Sequence, residues 1–252
     1  MKKFEKEIKQ LLNEDVELYE LFHTKTKIEK FDEIDPKNWP DSWKKVYFKA
    51  YGRFDEVKLP KPQLSNISLK NTLIARSSTR KFSNTKLEIN SLSSLLYYSC
   101  GIKVPTLTWT ANRFYPSGGS RYPLEVYVYS LNSTLKTGLY HYYVKSHCLE
   151  KLPQINKTEF IDCFHHPWIK NAGCIIVITS VFKRNTEKYG NRGYRFILTE
   201  AGHMAQNMYL TSAALKIGCC EIGGFKENKI DKILDLDSQT ESVISVLVVG
   251  NS

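Results

Sequence analysis

Three short segments hold residue types whose spacing could do chemistry. In Arg113-Phe-Tyr-Pro-Ser-Gly-Gly-Ser-Arg-Tyr-Pro-Leu-Glu-Val-Tyr-Val-Tyr129, a turn built on Pro116, Ser117, Gly118 and Gly119 runs straight into an alternating strand. Paired glycines let a backbone lie flat against a ligand. At a strand entrance such a loop suits a planar, hydrogen-bonding ring better than a phosphate, although an ordinary tight turn uses the same residues. The second segment, Ala75-Arg-Ser-Ser-Thr-Arg-Lys-Phe82, sets Arg76, Ser77, Ser78 and Arg80 close together at the end of a predicted helix. Guanidinium forks match phosphate geometry, and serine hydroxyls complete an oxygen-rich shell. A solvated basic turn is the plain alternative. The third segment is Gly218-Cys-Cys-Glu-Ile-Gly-Gly-Phe225. A nucleotide-triphosphate loop needs a lysine where Gly224 stands, so that reading fails, and no Gly-x-Gly-x-x-Gly dinucleotide fingerprint is present. Ile222, Gly223 and Gly224 could instead offer a backbone N–H to one edge of a flat ring.

These segments must be held by a scaffold, and the hydrophobic pattern outlines it. Phe4, Ile8, Leu11, Leu12, Val16 and Tyr19 form one stripe at helical spacing. The opposite face mixes acids and bases, which suits a docking helix better than a membrane anchor. Proline-punctuated connectors follow at 35–41 and 58–62. Ser68 is expected to cap a helix through about Ser77, and Asn90 a second one that turns Leu92, Leu95 and Leu96 inward. Strands are predicted at 124–131, 138–144, 174–181 and 242–249. A long helix is predicted at 194–216 with Gly218 as its stop signal, then a loop at 220–225 and a short helix at 228–234. The elements intermingle without a strict βαβ alternation, so the expected class is α+β. The division expected is an N-terminal helical and extended segment, 1–67, and one domain over 68–252.

The 252-residue chain is 42% hydrophobic and 25% charged, as ordinary globular proteins are. No apolar run reaches the roughly 20 residues that would cross a membrane. The charged start lacks a signal-peptide core, so a cytoplasmic protein is expected. The six cysteines show no paired spacing of a zinc or redox motif and read as buried thiols. His165-His166 lacks partners at metal-site spacing, so no metal is expected. A net charge of +10 is spread along the chain without a nucleic-acid reader motif. It suits a solvated surface, with a slight bias toward phosphate-bearing cofactors and acidic peptides.

Taken in order, the three segments resemble those of the nitroreductase-like flavin enzymes. The closer resemblance is to SagB-type (McbC-like) dehydrogenases, also called azoline oxidases, of ribosomal peptide maturation. It runs over nearly the whole chain: Phe22-His-Thr-Lys-Thr26, Asn38-Trp-Pro40, Pro116-Ser-Gly-Gly-Ser-Arg-Tyr-Pro-Leu124, Gly138-Leu-Tyr-His-Tyr142, His147 with Leu149-Glu150, Lys188-Tyr-Gly-Asn-Arg-Gly-Tyr-Arg195 and Glu200-Ala-Gly-His-Met-Ala-Gln-Asn207. The resemblance implies a mainly antiparallel sheet flanked by helices, in an intertwined homodimer with FMN at the interface. It implies oxidation of thiazoline or oxazoline rings to thiazole or oxazole in a precursor peptide, beside a separate cyclodehydratase. Carried over, Arg76, Ser77, Ser78 and Arg80 would hold the FMN phosphate and ribityl chain. Pro116 to Gly119 would line the isoalloxazine, and the Ile222-Gly223-Gly224 turn would approach flavin N5. Related enzymes place a basic residue beyond the last strand, where this chain has Asn251 and Ser252. Arg76 and Arg80 are then expected to grip the phosphate with help from elsewhere, or FMN to bind less tightly.

The family's catalytic pair matches Lys188-Tyr189. Aromatising an azoline gives a hydride to flavin and a proton to a base. Free tyrosine, with a pKa of about 10, is a poor base at neutral pH. A neighbouring ammonium is expected to favour its phenolate. The competing expectations are an NAD(P)H-dependent nitro or quinone reductase and a non-catalytic scaffold of a peptide-modifying complex. His203 is expected to be a hydrogen-bonded core residue.

Overall fold

The computed structural model describes residues 17–28, 35–103 and 112–252. Phe4, Ile8, Leu11, Leu12 and Val16 of the N-terminal stripe lie outside the described residues. One seven-stranded sheet organises the chain, in the order β1-β4-β3-β2-β5-β7-β6. Its strands are β1 (Glu56–Lys58), β2 (Leu124–Ser130), β3 (Gly138–Tyr143), β4 (Cys148–Lys151), β5 (Cys174–Val181), β6 (Gly218–Ile222) and β7 (Glu241–Gly250). Every neighbouring pair is antiparallel. The helices are α1 (Leu18–Lys25), α2 (Asp41–Lys44), α3 (Leu69–Ala75), α4 (Ile89–Cys100), α5 (Lys157–Ile161), α6 (Lys183–Tyr189), α7 (Arg192–Leu215) and α8 (Glu227–Ile233).

Both faces of the sheet are covered, which is why its central strands read as continuous apolar runs. Val126, Val128, Ile176 and Ile178 pack with Leu92, Leu95 and Leu96 of α4 and with Ile197, Met204 and Met208 of α7. Tyr127, Tyr129, Ile175 and Val177 point the other way, onto Phe160 of α5 and Ile230 of α8. The period of two along each strand sends alternate residues to the two layers.

Several boundaries differ from expectation for local reasons. Ser68 does cap α3, accepting from the Asn71 N–H, but the helix stops at Ala75. The second cap is one turn position off: α4 begins at Ile89 after Glu88, and Asn90 lies inside it. The segment after Gly218 opens as the edge strand β6, paired with β7 from Gly218 to Ile222. Only Gly223 to Phe225 remain as its loop. His203 is exposed on α7, not in the core.

The face beneath residues 45–58 carries charge inside the sheet. His141 bonds Glu150 at 2.7 Å and Glu125 at 3.2 Å, with all three side chains buried. Burial opposes the imidazolium, but the two carboxylates hold His141 above its ordinary range. Burial also opposes the Glu125 carboxylate, yet the Arg184 guanidinium 2.5 Å away brings it down to about 2. Lys49 donates to Glu241 and to the Tyr127 hydroxyl, each at 2.7 Å. These pairs fasten the early segment and α6 onto the sheet.

Candidate functional site

The turn at 116–119 is bent by Gly119, whose φ is +62°. The Ser117 hydroxyl accepts the Tyr122 N–H at 2.8 Å, closing the turn on its exit strand. α6 ends on Lys188 and Tyr189, with Gly190 at φ +54° as its cap. A side chain at Gly119 would collide with the Tyr189 hydroxyl and come within 3.6 Å of Lys188 Nζ. The glycine turn and the Lys-Tyr pair therefore form one constellation.

Glu200 of α7 joins these parts. Its Oε1 accepts from the Gly118 N–H at 3.0 Å and from Asn185 Nδ2 of α6 at 3.1 Å. Its Oε2 and the Asn185 Oδ1 are both buried without a hydrogen-bond partner. Burial pushes the Glu200 carboxyl up to about 7, against the bonds from Asn185, Ser117 and Gly118 that favour the anion. A proton on the carboxyl would remove a buried, unpartnered anionic oxygen, so the neutral acid is the better fit to the site below about pH 7. Sequence reading passed over Glu200 as a role-bearing residue. Its signal was position: it falls on the stripe Ile197, Ala201 and Met204, where a charged residue is unexpected.

The electrostatics of the pair differ from expectation. Burial raises Tyr189 more than the Arg121 charge lowers it, so the phenol is favoured and not the phenolate. Lys188 is pushed down, first by burial and then by Arg121. The two shifts favour the neutral amine at Lys188 and the phenol at Tyr189.

The phosphate-type residues gather at the other end of α7. Ser77, Ser78 and Arg80 are exposed and Arg76 is half-buried. The Arg76 guanidinium lies over the Tyr209 ring at 5.5 Å, and Ser78 Oγ is 3.3 Å from the Tyr209 hydroxyl. That hydroxyl also accepts the Glu221 N–H at 2.7 Å, while the Thr79 N–H donates to the Cys219 carbonyl at 2.8 Å. Segment 76–80 is thereby laid along β6, with Ile222 buried at its end. Gly224 is pinned by the His165 N–H, 3.0 Å from its carbonyl. Gly223 is open: a side chain there would meet nothing within 4 Å.

Within one chain these are two groups. Phe196 packs on Gly118 and Tyr209 on Ser78. Thirteen residues of helix separate them, roughly 20 Å at 1.5 Å per residue. Exposed cations and hydroxyls at one end, and an open glycine next to them, fit the phosphate and ring edge of FMN. Arg76 and Arg80 form no ion pair among the described residues, which leaves both charges available to a ligand. The described residues contain no cluster of metal-ligating side chains. All six cysteines are buried free thiols. No helix among the described residues is long and apolar enough to cross a membrane.

Known proteins place this arrangement. A nitroreductase-family protein of Methanocaldococcus jannaschii is 29% identical over 72% of this chain and 91% of its own length. McbC of Escherichia coli, a microcin B17-processing protein, is 28% identical over 66% of this chain and 63% of its own. Among solved structures, the E. coli microcin synthetase McbBCD complex with truncated pro-MccB17 superposes with a TM-score of 0.62 at 23% identity, over 93% of this chain and 92% of the matched one. A nitroreductase from a Desulfovibrio desulfuricans subspecies, solved in complex with FMN, superposes at 0.51 with 16% identity over 74% of this chain and 87% of its own. Both superpositions speak for the fold alone. The description "Nitroreductase family" matches residues 73–251, most of the chain. The chain belongs to the nitroreductase family.

Proposed function

We propose that this protein is an FMN-dependent dehydrogenase that oxidises thiazoline or oxazoline rings to thiazole or oxazole in a ribosomally made peptide, in the cytoplasm. The observation that carries this reading is the contact between the Gly119 turn and the Lys188-Tyr189 pair. A reductase that only delivers hydride has no need of a base at that turn, whereas azoline oxidation must dispose of a proton. The similarity to McbC, a peptide-processing protein, supports the same substrate class.

Arg76, Ser77, Ser78 and Arg80 would hold the FMN phosphate and ribityl chain, and Pro116 to Gly119 with Ile222 to Gly224 would line its ring. When bound, FMN supplies the two-electron acceptor for the hydride. The rest falls to the protein. The 116–119 turn gives the azoline a flat, side-chain-free approach. Lys188, pushed toward its neutral amine by burial, takes the ring proton. Tyr189, held as a phenol, donates a hydrogen bond that orients the reacting ring. Glu200 fixes the turn and α6 in one register.

The separation along α7 supports an intertwined homodimer in which one chain's turn meets the phosphate grip of its mate. A cyclodehydratase would deliver the azoline peptide. The competing reading, an NAD(P)H-dependent nitro or quinone reductase, draws on the longer match to the M. jannaschii protein. The experiment is direct. The purified protein should be yellow and remove about 2 Da, two hydrogens, from an azoline peptide. Rapid bleaching of the flavin by NADPH with nitroarene turnover and no 2 Da loss would decide for the reductase.

A further inference from the structure

Two tryptophans ahead of the sheet face the base. Trp39 sets its ring face 3.8 Å from Lys188 Nζ, and Trp43 of α2 lies 5.4 Å from the same atom. The two indoles meet edge to face at 6.3 Å. The Tyr189 ring lies 5.5 Å from the same atom, so three aromatic rings neighbour the ammonium position.

The strap that carries them does not hold itself in place. α2 has no buried side chain. Its anchor is Arg121, the residue that leaves the glycine turn, which is 1% exposed. Arg121 Nη2 donates to the Ser42 carbonyl at 2.8 Å, and Nη1 to those of Trp43 at 2.8 Å and Lys45 at 3.0 Å. Its Nε donates to the Arg184 carbonyl of α6 at 2.9 Å. One planar fork thus ties the strap, the turn and the Lys-Tyr helix together, a task that lysine's point charge cannot perform.

Opposed forces meet at Lys188. Burial and the Arg121 charge favour the amine. An indole face favours the ammonium by roughly 2- to 30-fold, the equivalent of an ordinary cation–π contact. Tyr189 from its own helix also faces this atom, while on the strap Asp41 and Lys44 pair with each other at 3.7 Å. A base that must accept a proton and then hold it benefits from both influences.

We propose that Trp39 and Trp43 are positioning residues of this site: their ring faces seat Lys188 Nζ beside Gly119 and steady the ammonium formed when the amine takes a proton, while Arg121 locks the strap that presents them. The inference deepens the dehydrogenase reading and rests on it for the proton's source. In the step itself, the amine lone pair forms the new N–H bond as a ring C–H bond breaks, that bond's electrons become the new ring double bond, and the hydride lost from the adjacent carbon would pass to a bound flavin.

Competitive lysine acylation read by peptide mass, run on the purified holoprotein across pH, tests this without substrate or turnover. In Trp39→Leu the titration midpoint of Lys188 should move to lower pH, with labelling on the sloping part of the curve rising roughly 2- to 30-fold against the surface lysines. Trp39→Phe should fall between the two, and Arg121→Lys should behave like Trp39→Leu. A change in the high-pH plateau alone would report access only and overturn the proposal. So would a midpoint unmoved in both Trp39→Leu and Trp43→Leu. Lys188→Met, which keeps both indoles, should alter tryptophan emission, and unchanged emission also counts against the contact. A shifted midpoint without a 2 Da loss in the wild type removes the azoline reading and leaves the aromatic seat. A 2 Da loss with a fixed midpoint removes the seat alone.

Discussion

The two ends of α7 are built on opposite plans. At its N-terminal end, buried Glu200 bonds buried Asn185 and the half-buried Gly118 N–H, buried Arg184 pairs with buried Glu125, and the Lys-Tyr pair sits against the glycine turn. Toward its C-terminal end, Arg80, Ser77 and Ser78 are exposed, and the half-buried Arg76 lies over the Tyr209 face. The first end is rigid before any ligand arrives. The second has charge and hydroxyls to spend on a ligand. On the proposed reading, the chemistry is preorganised at one end and a cofactor phosphate would complete the other.

The contrast predicts variants that separate catalysis from binding. The largest effect belongs to the rigid end. Lys188→Ala and Tyr189→Phe should each lower azoline turnover by about 10²–10⁴-fold, the usual weight of a lost general base or its orienting partner. Flavin content, read from the absorption spectrum, should stay near wild type. Retained turnover in both variants would remove the pair from the chemistry.

The open end should respond the other way. Arg76→Ala with Arg80→Ala should weaken FMN by roughly 10²-fold or more, since each charge-assisted bond contributes about 1.5–3 kcal/mol. Turnover at saturating FMN should be preserved. Equal FMN affinity in the double variant would mean that the phosphate is gripped elsewhere.

The rigid end should also show itself in stability against pH. Burial raises Glu200 from 4.5 to about 7, so the folded state holds this proton more tightly than the unfolded chain does. The linked stability is fully present below about 4.5 and is lost as pH rises through about 7. The full span is about 3 kcal/mol, from roughly 1.4 kcal/mol per pKa unit. Thermal unfolding of wild type should therefore fall in Tm over this window relative to Glu200→Gln, which cannot ionise. Parallel curves for the two proteins would place the carboxyl at an ordinary value.

The two ends were unequally legible in the sequence. The glycines, the Arg-Ser-Ser-x-Arg run and the apolar strands β2, β5 and β7 announce themselves by type and period. The short strands β1 and β4 do not, because Glu150 in β4 looks solvated and is instead paired with His141 and the Tyr51 N–H. β6 was hidden behind Gly218, which resembles a helix stop while opening an edge strand. Arg121 and Trp43 were invisible as site residues. Nothing local tells a buried arginine that bonds carbonyls some 80 positions away from an exposed one. The direction of Tyr189 was misjudged for a related reason: sequence shows its lysine neighbour, but not the burial that outweighs a charge.

Glycine substitutions give the smallest and sharpest comparison. At Gly119, φ is +62° and a methyl group would strike the Tyr189 hydroxyl. Gly119→Ala should cost roughly 1–2 kcal/mol for the left-handed backbone alone, before any contact is repaired. It should also displace Tyr189 and so lower turnover. At Gly223 a methyl group meets nothing within 4 Å of this chain, and its backbone lies outside the left-handed region. Gly223→Ala should therefore change apoprotein stability by no more than about 0.5 kcal/mol, as surface changes do. Its effect should appear only where a flat ring needs that space, as weaker FMN binding in a flavin titration. Unaltered FMN affinity in Gly223→Ala would move the ring edge away from this loop, while leaving the Gly119 constellation untouched.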